Sequence, residues 1–327
     1  MKYILTSLHL IIAITMLPLY ADELVIDEWF VPWENSRPRD PYVDTNGHIW
    51  FVGQIGNYIA SLNPQSNRFK QWPLEEGAGP HNLIVGKDGT IWYAGNRSAH
   101  IGKVNPNTGS IHKIPMPDKR ARDPHTLTFD DNGDIWFTVQ GGNFIGKLDT
   151  KSEKISLVDV PTKRARPYGI KIHKGMVWVV LFGTHKIARI DPITMVLEEI
   201  EIPRKDARPR RIAITSDGMV WYGDYAKGIL GKFNPNTREF TEWPMPSGEN
   251  ARPYAITVDN KDRIWFVETG VDPNIFRAFN SRTEEFTFQK AIESGGGTVR
   301  HMVFDPKQKA VWFGADTNTI GRALLPD

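Results

Sequence analysis

The sequence predicts an all-β fold, a seven-bladed β-propeller, because one pattern recurs seven times along its 327 residues. Each repeat has a polar turn, a hydrophobic-Trp-aromatic run, an Ile-Gly-like step and an Asn-Pro or Asp-Pro turn. The tryptophans are separated by 42, 44, 42, 43, 44 and 47 residues, the period expected of four-stranded propeller blades. They are Trp50, Trp92, Trp136, Trp178, Trp221, Trp265 and Trp312.

The second repeat shows how each blade is built. A strand over residues 81–85 precedes the Gly-Lys-Asp-Gly turn at 86–89, and the Trp strand follows at 90–94. A third strand at 101–104 leads through an Asn-Pro-Asn-Thr-Gly turn to a closing strand at 110–114. Short β-rich runs bounded by Gly, Pro, Asn and Asp indicate strands and tight turns. The tryptophans are therefore expected to pack between blades, where a large aromatic side chain fits.

The two ends of the chain predict how the ring closes. The last repeat stops after a third strand at 320–325, whereas an extra β-like segment, residues 26–32, precedes the first repeat. That segment resembles the fourth strands Phe-Thr-Glu-Trp-Pro and Lys-Gln-Trp-Pro of other repeats. We therefore expect the N-terminal strand to complete the last blade, which leaves no open sheet edge between first and last blades.

The N-terminus predicts export. Residues 1–21 read as a signal peptide, with Lys2 as the positive start, an apolar stretch at 4–17 and a cleavage site at Leu-Tyr-Ala, 19–21. An uncleaved anchor is the alternative, but the stretch is short of the usual span of about 20 apolar residues and is interrupted by polar ones. Residues 22–327 are then one propeller domain in the periplasm or secreted, with no membrane span once the signal is removed.

Composition narrows the function classes. The chain has no cysteine, which excludes disulfides, thiolate chemistry and Cys-ligated zinc. Its formal charge of +2 falls to about +1 without Lys2, so there is no global attraction for nucleic acid or acidic membranes. A small-molecule substrate or an anionic ligand in the central channel is the expected partner, because convergent donors at a channel end are the usual ligand site.

One repeat position carries large polar side chains. It opens each innermost strand, almost always after a proline that fixes the local backbone, and pseudo-rotation places its seven members in a ring around the channel. They are Arg39, His81, His125, Tyr168, Arg210, Tyr254 and Arg300.

Arginines just upstream of this ring make one rim of the channel basic: Arg37, Arg122, Arg166, Arg208 and Arg252. They could pair with turn carboxylates such as Asp118, Asp206 and Glu249. They could also form an anion-receptive mouth, since a guanidinium fork suits carboxylates and phosphates, and neither interpretation excludes the other.

A second ring is expected where the Trp strands end. Of its members, Asp316, with Asp224 and Glu268 one position earlier on their blades, could act as carboxylate bases or hard-metal ligands. A lone acid at a strand end usually belongs to a turn, but these three lie on the last three blades.

The repeats resemble those of the virginiamycin B lyase, or streptogramin lyase, family. The likeness rests on units such as Asp-Ile-Trp-Phe-Thr at 134–138 with Ile-Gly-Lys-Leu at 145–148, and Ala-Arg-Pro-Tyr-Ala-Ile-Thr at 251–257, and it runs from about residue 22 to 325. The resemblance implies a seven-bladed propeller that opens a cyclic ester by Mg²⁺-assisted C–O elimination.

In that family, two histidines open the innermost strands of the last two blades, a carboxylate lies two residues before the second, and a glutamate lies four after the final Trp. The corresponding residues here are Tyr254, Arg300, Thr298 and Asp316, of which only Asp316 keeps the chemistry. His301 is offset by one residue and should point to the other face of a regular strand unless a bulge turns it.

A rotated version of the pattern lies on blades two and three. His81 and His125 occupy the ring position on consecutive blades, and Asp123 lies two residues before His125, while Gln140 stands where the glutamate would be. Two neutral imidazoles with a carboxylate could bind a divalent metal or act as a base. We therefore take His81, Asp123, His125 and Asp316 as catalytic candidates, with His81 and His125 as metal ligands.

Three functions stay open from the sequence. The first is an exported lyase, with a hydrolase as the alternative, that uses the catalytic candidates and a divalent cation to act on a cyclic or ester-containing small molecule in the channel. The second is a non-catalytic module that binds an anionic ligand or partner through Arg39, Tyr168, Arg210, Tyr254, Arg300 and Glu268. The third is a calcium-dependent sugar-lactone hydrolase using Glu268, Asn96 and Asp316, but the amino-acid pattern of the repeats matches that group poorly.

Overall fold

The computed structural model describes residues 24–327, which form seven four-stranded antiparallel sheets arranged in a ring. The signal peptide predicted at residues 1–21 lies outside the described residues. The predicted all-β propeller is confirmed, and within the described part the regular helical structure consists of one 3-10 turn, Glu249–Ala251. No helix in residues 24–327 is long and apolar enough to cross a membrane.

Each blade is a meander of four strands running outward from the central axis. Blades one to three comprise β2 (Pro38–Val43), β3 (Ile49–Gly53), β4 (Tyr58–Asn63), β5 (Arg68–Pro73); β6 (Pro80–Val85), β7 (Ile91–Gly95), β8 (His100–Val104), β9 (Ile111–Pro115); β10 (Pro124–Phe129), β11 (Ile135–Val139), β12 (Phe144–Leu148) and β13 (Ile155–Asp159).

Blades four to six follow the same order, with β14 (Pro167–His173), β15 (Met176–Leu181), β16 (Lys186–Ile190), β17 (Leu197–Glu201); β18 (Pro209–Ile214), β19 (Val220–Asp224), β20 (Ile229–Phe233), β21 (Phe240–Pro244); β22 (Pro253–Val258), β23 (Arg263–Glu268), β24 (Ile275–Asn280) and β25 (Glu285–Ala291). The innermost strand of each blade contacts those of both neighbouring blades, so these strands line one central channel.

Blade seven is closed by the N-terminus, as predicted. Its strands are β26 (Val299–Asp305), β27 (Ala310–Ala315), β28 (Thr319–Leu324) and β1 (Val25–Phe30), and β1 pairs antiparallel with β28. Just beyond β1, the amide of Asn318 donates to the carbonyls of Val31 and Trp33, both at 3.0 Å. The first and last strands of the ring are thereby hydrogen-bonded to each other.

The repeated tryptophans lie in the layers between blades, as predicted, and all seven are buried. The Ile-Gly-like step has a steric origin, visible at Gly146 on β12. A Cβ at Gly146 would lie 2.2 Å from the nearest ring carbon of Phe137 on the adjacent strand, so this position must lack a side chain. Cross-strand packing of this kind explains why the step recurs with the Trp strand.

The innermost strands are not regular, and this irregularity shapes the channel. Each has a register shift near its start, for example between Arg39 and Tyr42 in β2 and between Val299 and Met302 in β26. Asp40, inside the first shift, has a positive φ of 50°. A bulge breaks the alternation of a strand, so two consecutive side chains can face the same side. The channel therefore receives two layers of side chains.

Candidate functional site

The first layer contains the seven residues predicted from the ring position. Five of them, Arg39, His81, His125, Tyr168 and Tyr254, are buried. The imidazoles of His81 and His125 are packed with ring centroids 3.5 Å apart, and Tyr168 follows at 4.1 Å from His125. The structure thus brings the predicted histidine pair together in direct contact.

Arg210 is held by aromatic rings at the same level. Its guanidinium carbon lies 3.7 Å from the ring centroid of Tyr254 and 4.2 Å from that of Tyr225. Phe182 and Tyr168 are also close, at 4.6 and 5.2 Å. The hydroxyls of Tyr168 and Tyr254 are hydrogen-bonded to each other. Cation–π contacts of this kind orient the guanidinium without occupying its N–H donors.

The second layer is a hydrogen-bonded floor that the sequence analysis missed. The Asp40 carboxylate accepts from Arg39 Nε at 3.0 Å, from Asn82 Nδ2 at 3.0 Å and from Arg211 Nη2 at 3.1 Å. Arg211 comes from blade five, so this ion pair crosses the channel from blade one. Arg211 also donates to Thr126 Oγ1 at 3.1 Å and to the Arg300 carbonyl at 3.0 Å.

His301 belongs to this second layer rather than to a buried face of blade seven. The bulge between Val299 and Met302 sets it at the channel, close enough to Asp40 and Arg211 to feel both charges. The signal for the second layer was present in the sequence as two consecutive polar residues at the start of an inner strand: Arg-Asp at 39–40, His-Asn at 81–82, His-Thr at 125–126, Arg-Arg at 210–211 and Arg-His at 300–301.

In the two layers the arginines carry the positive charge, and the histidines are neutral. Although burial disfavours its charge, the adjacent Asp40 carboxylate keeps the pKa of Arg39 above its usual value. Burial, with the charges of Arg39 and Arg211, lowers the pKa of His81 well below its usual range. Burial and then the neighbouring His81 do the same to the pKa of His125. The imidazoles are therefore neutral beside arginines that stay charged.

Several buried nitrogen atoms in the first layer have no partner. Within residues 24–327, no hydrogen-bond partner reaches Arg39 Nη2, Arg210 Nε or His81 Nδ1. A buried guanidinium N–H without an acceptor is costly, by about 1–3 kcal/mol for a neutral group and more for a charged one. The first layer forms the mouth of the channel. The mouth thus holds guanidinium donors, on Arg39 and Arg210, for which the protein itself supplies no acceptor.

The carboxylates predicted for the site lie elsewhere or are already paired. Asp123 accepts hydrogen bonds from the backbone amides of Gly141 and Gly142 and so stabilises the turn that follows β11. Glu268 is fully buried and accepts from Arg277 Nε at 2.7 Å and Ser247 Oγ at 2.6 Å, between blades. Asp123 is bonded to local backbone amides, and Glu268 to an arginine of its own blade and a serine of the preceding connection; sequence spacing shows neither.

Asp316 is paired with Arg300, which stands where the resemblance described above implies a histidine. Its carboxylate accepts from Arg300 Nη1, and Arg37 Nε lies 3.9 Å away. Arg300 and Asp316 therefore lie together at the mouth, as their ring positions predicted, but as an ion pair.

The rim arginines do not pair with the turn carboxylates proposed for them. Asp118 pairs with Arg120, Asp206 with Arg204, and Glu249 with Lys227. Among the residues described, no carboxylate contacts Arg122, Arg166, Arg208 or Arg252, and Arg208 donates instead to backbone carbonyls. The prediction that the rim arginines pair with these three carboxylates is therefore wrong, although Arg37 lies 3.9 Å from another carboxylate, that of Asp316.

The residues of the site do not fit Mg²⁺. That ion prefers six oxygen ligands, whereas the neutral histidine pair offers nitrogen atoms beside Arg39, Arg211 and Arg300. At the family's own positions the remaining acid, Asp316, is bonded to Arg300. Throughout residues 24–327, no group of three or more His, Asp or Glu side chains is arranged to hold a metal ion.

Comparison with known proteins agrees with the fold and the repeat. The sequence model of the virginiamycin B lyase family matches residues 22–190 and 173–323. Virginiamycin B lyase from Staphylococcus aureus, in selenomethionine form, is 25% identical with a TM-score of 0.84, covering 93% of this chain and 100% of that one. A streptogramin B lyase is 29% identical with a TM-score of 0.82, covering 92% of this chain and 97% of that one.

A third similar structure contains a ligand. It is a catalytically inactive variant of the Staphylococcus aureus virginiamycin B lyase with quinupristin, 26% identical with a TM-score of 0.84, covering 93% of this chain and 100% of that one. No curated protein matches the chain. Because the family's sequence model spans nearly all of the described residues, the protein belongs to the virginiamycin B lyase family.

Proposed function

We propose that this protein is an exported propeller that binds a small carboxylate-bearing molecule at the mouth of its channel. The supporting observation is the pair of buried guanidinium donors without acceptors, Arg39 Nη2 and Arg210 Nε. A carboxylate placed there would accept charge-assisted hydrogen bonds from groups that already lie in a low-dielectric site. Such bonds are stronger than bonds between neutral groups, and the aromatic rings around Arg210 keep its guanidinium group oriented.

The walls of the mouth indicate what else the ligand carries. Phe182 and Tyr225 flank Arg210, with ring centroids 6.2 Å apart, and both are partly exposed. A flat apolar or aromatic group next to the carboxylate would pack against these rings. An aromatic carboxylate should therefore bind more tightly than an aliphatic one of the same charge.

The test is calorimetric titration with benzoate and with acetate. We expect saturable binding of both, with benzoate tighter, and a loss of at least tenfold in affinity in Arg210→Met. Arg282→Met, which removes an exposed arginine on an outer turn, is the matched control and should bind as the unaltered protein does. The proposal fails if neither anion binds, or if Arg210→Met and Arg282→Met bind equally.

A second candidate is the lyase reaction, which family membership and the quinupristin-containing relative favour. It breaks an ester C–O bond as a base removes the proton from the adjacent carbon, leaving an alkene and a carboxylate. In this chain a neutral imidazole of the His81–His125 pair would be the base. Arg300 cannot act as one, because it stays protonated at any usable pH.

The assay for this second candidate must separate isomers, since elimination adds no atoms to the ring-opened product. Incubation with quinupristin, with and without Mg²⁺, followed by chromatography, should show a new species of unchanged mass. Activity absent in His125→Ala and present in the unaltered protein would assign the base. Activity retained in His125→Ala would remove that residue from the reaction, and no turnover in the unaltered protein would leave the binding function.

A further inference from the structure

The channel has a second end, on the far side of the floor made by Asp40 and Arg211. A cavity of about 180 Å³ lies there, formed by the innermost strands of blades one to four and seven. Its lining includes Tyr42, Thr128, Lys171 and His301, together with apolar side chains such as Leu83 and Val303. Because the ion pair of the floor crosses the channel above it, this cavity is separate from the mouth.

Asn82 and Thr126 in the lining are hydrogen-bonded to the floor, but three other polar groups of the cavity lack partners within the protein. Among the described residues, Lys171 makes no ion pair or hydrogen bond through its ammonium group, and the Tyr42 hydroxyl makes no hydrogen bond. His301 Nδ1 is buried and also has no partner. An ammonium, a hydroxyl and an imidazole nitrogen thus meet in a cavity large enough for a tetrahedral oxyanion.

The charge around this cavity is not balanced. The channel axis carries the cations of Arg39, Arg211 and Lys171, whereas Asp40 is the carboxylate that offsets them. Asp40 is already bonded to both arginines, so no acid is left for Lys171. Burial, and then the charge of Arg211, lower the pKa of Lys171 from its usual value, as expected of an ammonium without a counterion.

We propose that this far end of the channel is a second anion site, which binds a small oxyanion such as phosphate, sulfate or a short carboxylate through Lys171 and His301. The anion supplies the missing counter-charge and accepts from the Lys171 ammonium and the Tyr42 hydroxyl. The site is independent of the carboxylate proposed for the mouth, since it lies below the floor and uses none of the mouth residues.

The experiment titrates the Arg210→Met variant, in which the mouth is disabled, with phosphate, sulfate and acetate, each followed by calorimetry. We expect at least one anion to bind, and Lys171→Met to weaken that binding at least tenfold while keeping the length of the side chain. Lys151→Met, on an exposed outer turn, is the matched control and should leave the affinity unchanged. Thermal unfolding of each variant shows that it is folded before it is titrated.

A variant of the mouth separates the two sites. Arg210→Met should weaken benzoate binding at least tenfold and leave the far site intact, whereas Lys171→Met should weaken oxyanion binding at least tenfold and leave benzoate binding unchanged. Crystals soaked in selenate should show an anomalous peak beside Lys171 Nζ that is absent from Lys171→Met crystals. The proposal is overturned if none of the three anions binds, if Lys171→Met and Lys151→Met bind equally, or if the selenate lies elsewhere.

Discussion

The floor of the channel gives a stability prediction that can be worked from its contacts. Asp40→Asn keeps the size of the side chain, and Asn tolerates the positive φ of 50° at this position, so the change removes charge and little else. The carboxylate accepts from Arg39, Arg211 and Asn82 at 3.0 to 3.1 Å. Breaking a buried ion pair by removing one partner typically costs about 3–5 kcal/mol, because the other charge stays buried.

We therefore expect Asp40→Asn to lower the free energy of unfolding by about 3–5 kcal/mol. The assay is urea unfolding followed by tryptophan fluorescence, and Asp131→Asn, on an exposed turn, is the control. Adding Arg211→Met to Asp40→Asn should restore part of the loss, because it removes one of the two uncompensated guanidinium groups. A loss below about 1 kcal/mol, or strict additivity in the double variant, would refute the reasoning.

Three further predictions test other parts of the structure. Burial, then Arg211, lowers the pKa of His301 to about 3, so as pH falls the unfolded chain is protonated at this residue before the folded one. Through His301, stability present above pH 6.5 should decline by roughly 2 kcal/mol by pH 5. His81 and His125 add declines of the same sign, so His301→Asn should make the total decline roughly 2 kcal/mol smaller without abolishing it, and an unchanged decline would contradict the low pKa of His301. Gly146→Ala should cost about 1–3 kcal/mol in thermal unfolding, because its Cβ overlaps the Phe137 ring, and an unchanged Tm would contradict that packing. Glu28→Ala removes the acceptor for Ser294 and Thr319; amide exchange in Thr319–Leu324 should quicken, and unchanged exchange would show that blade closure does not need Glu28.

The fold could be predicted almost completely from the sequence because the repeat is local. Each blade is a run of neighbouring strands joined by short turns, so strand order follows chain order. The extra N-terminal segment and the missing fourth strand of the last repeat sufficed to predict that β1 completes the last blade, where it pairs with β28. The strands of the second repeat lie within about one residue of their predicted bounds. The steric reason for the Ile-Gly-like step needed coordinates, because it depends on the cross-strand register.

The site could be predicted only in its first layer. The ring position identified seven side chains correctly placed around the channel, since a single repeat position maps to a single height on the axis. The floor was missed because a bulge, which no single-residue pattern encodes, brings Asp40, Arg211 and His301 to the same side as their neighbours. The hydrogen-bond partners of the acidic residues could not be predicted from the sequence either. Asp123, for example, accepts hydrogen bonds from nearby backbone amides.

Arg300 stands where the resemblance to the lyase family implies a histidine, and an arginine there changes the electrostatics of the mouth as well as lacking a base. A histidine at this position can be neutral and leaves a nearby acid free to hold a cation, whereas a permanently charged arginine bonds Asp316 and repels one. With Arg39 and Arg210 in the same layer, the mouth becomes a place where negative charge is stabilised. An ester elimination releases a carboxylate, so a cationic mouth matches the product side of the family's reaction, and benzoate binding without turnover is the outcome this charge pattern favours.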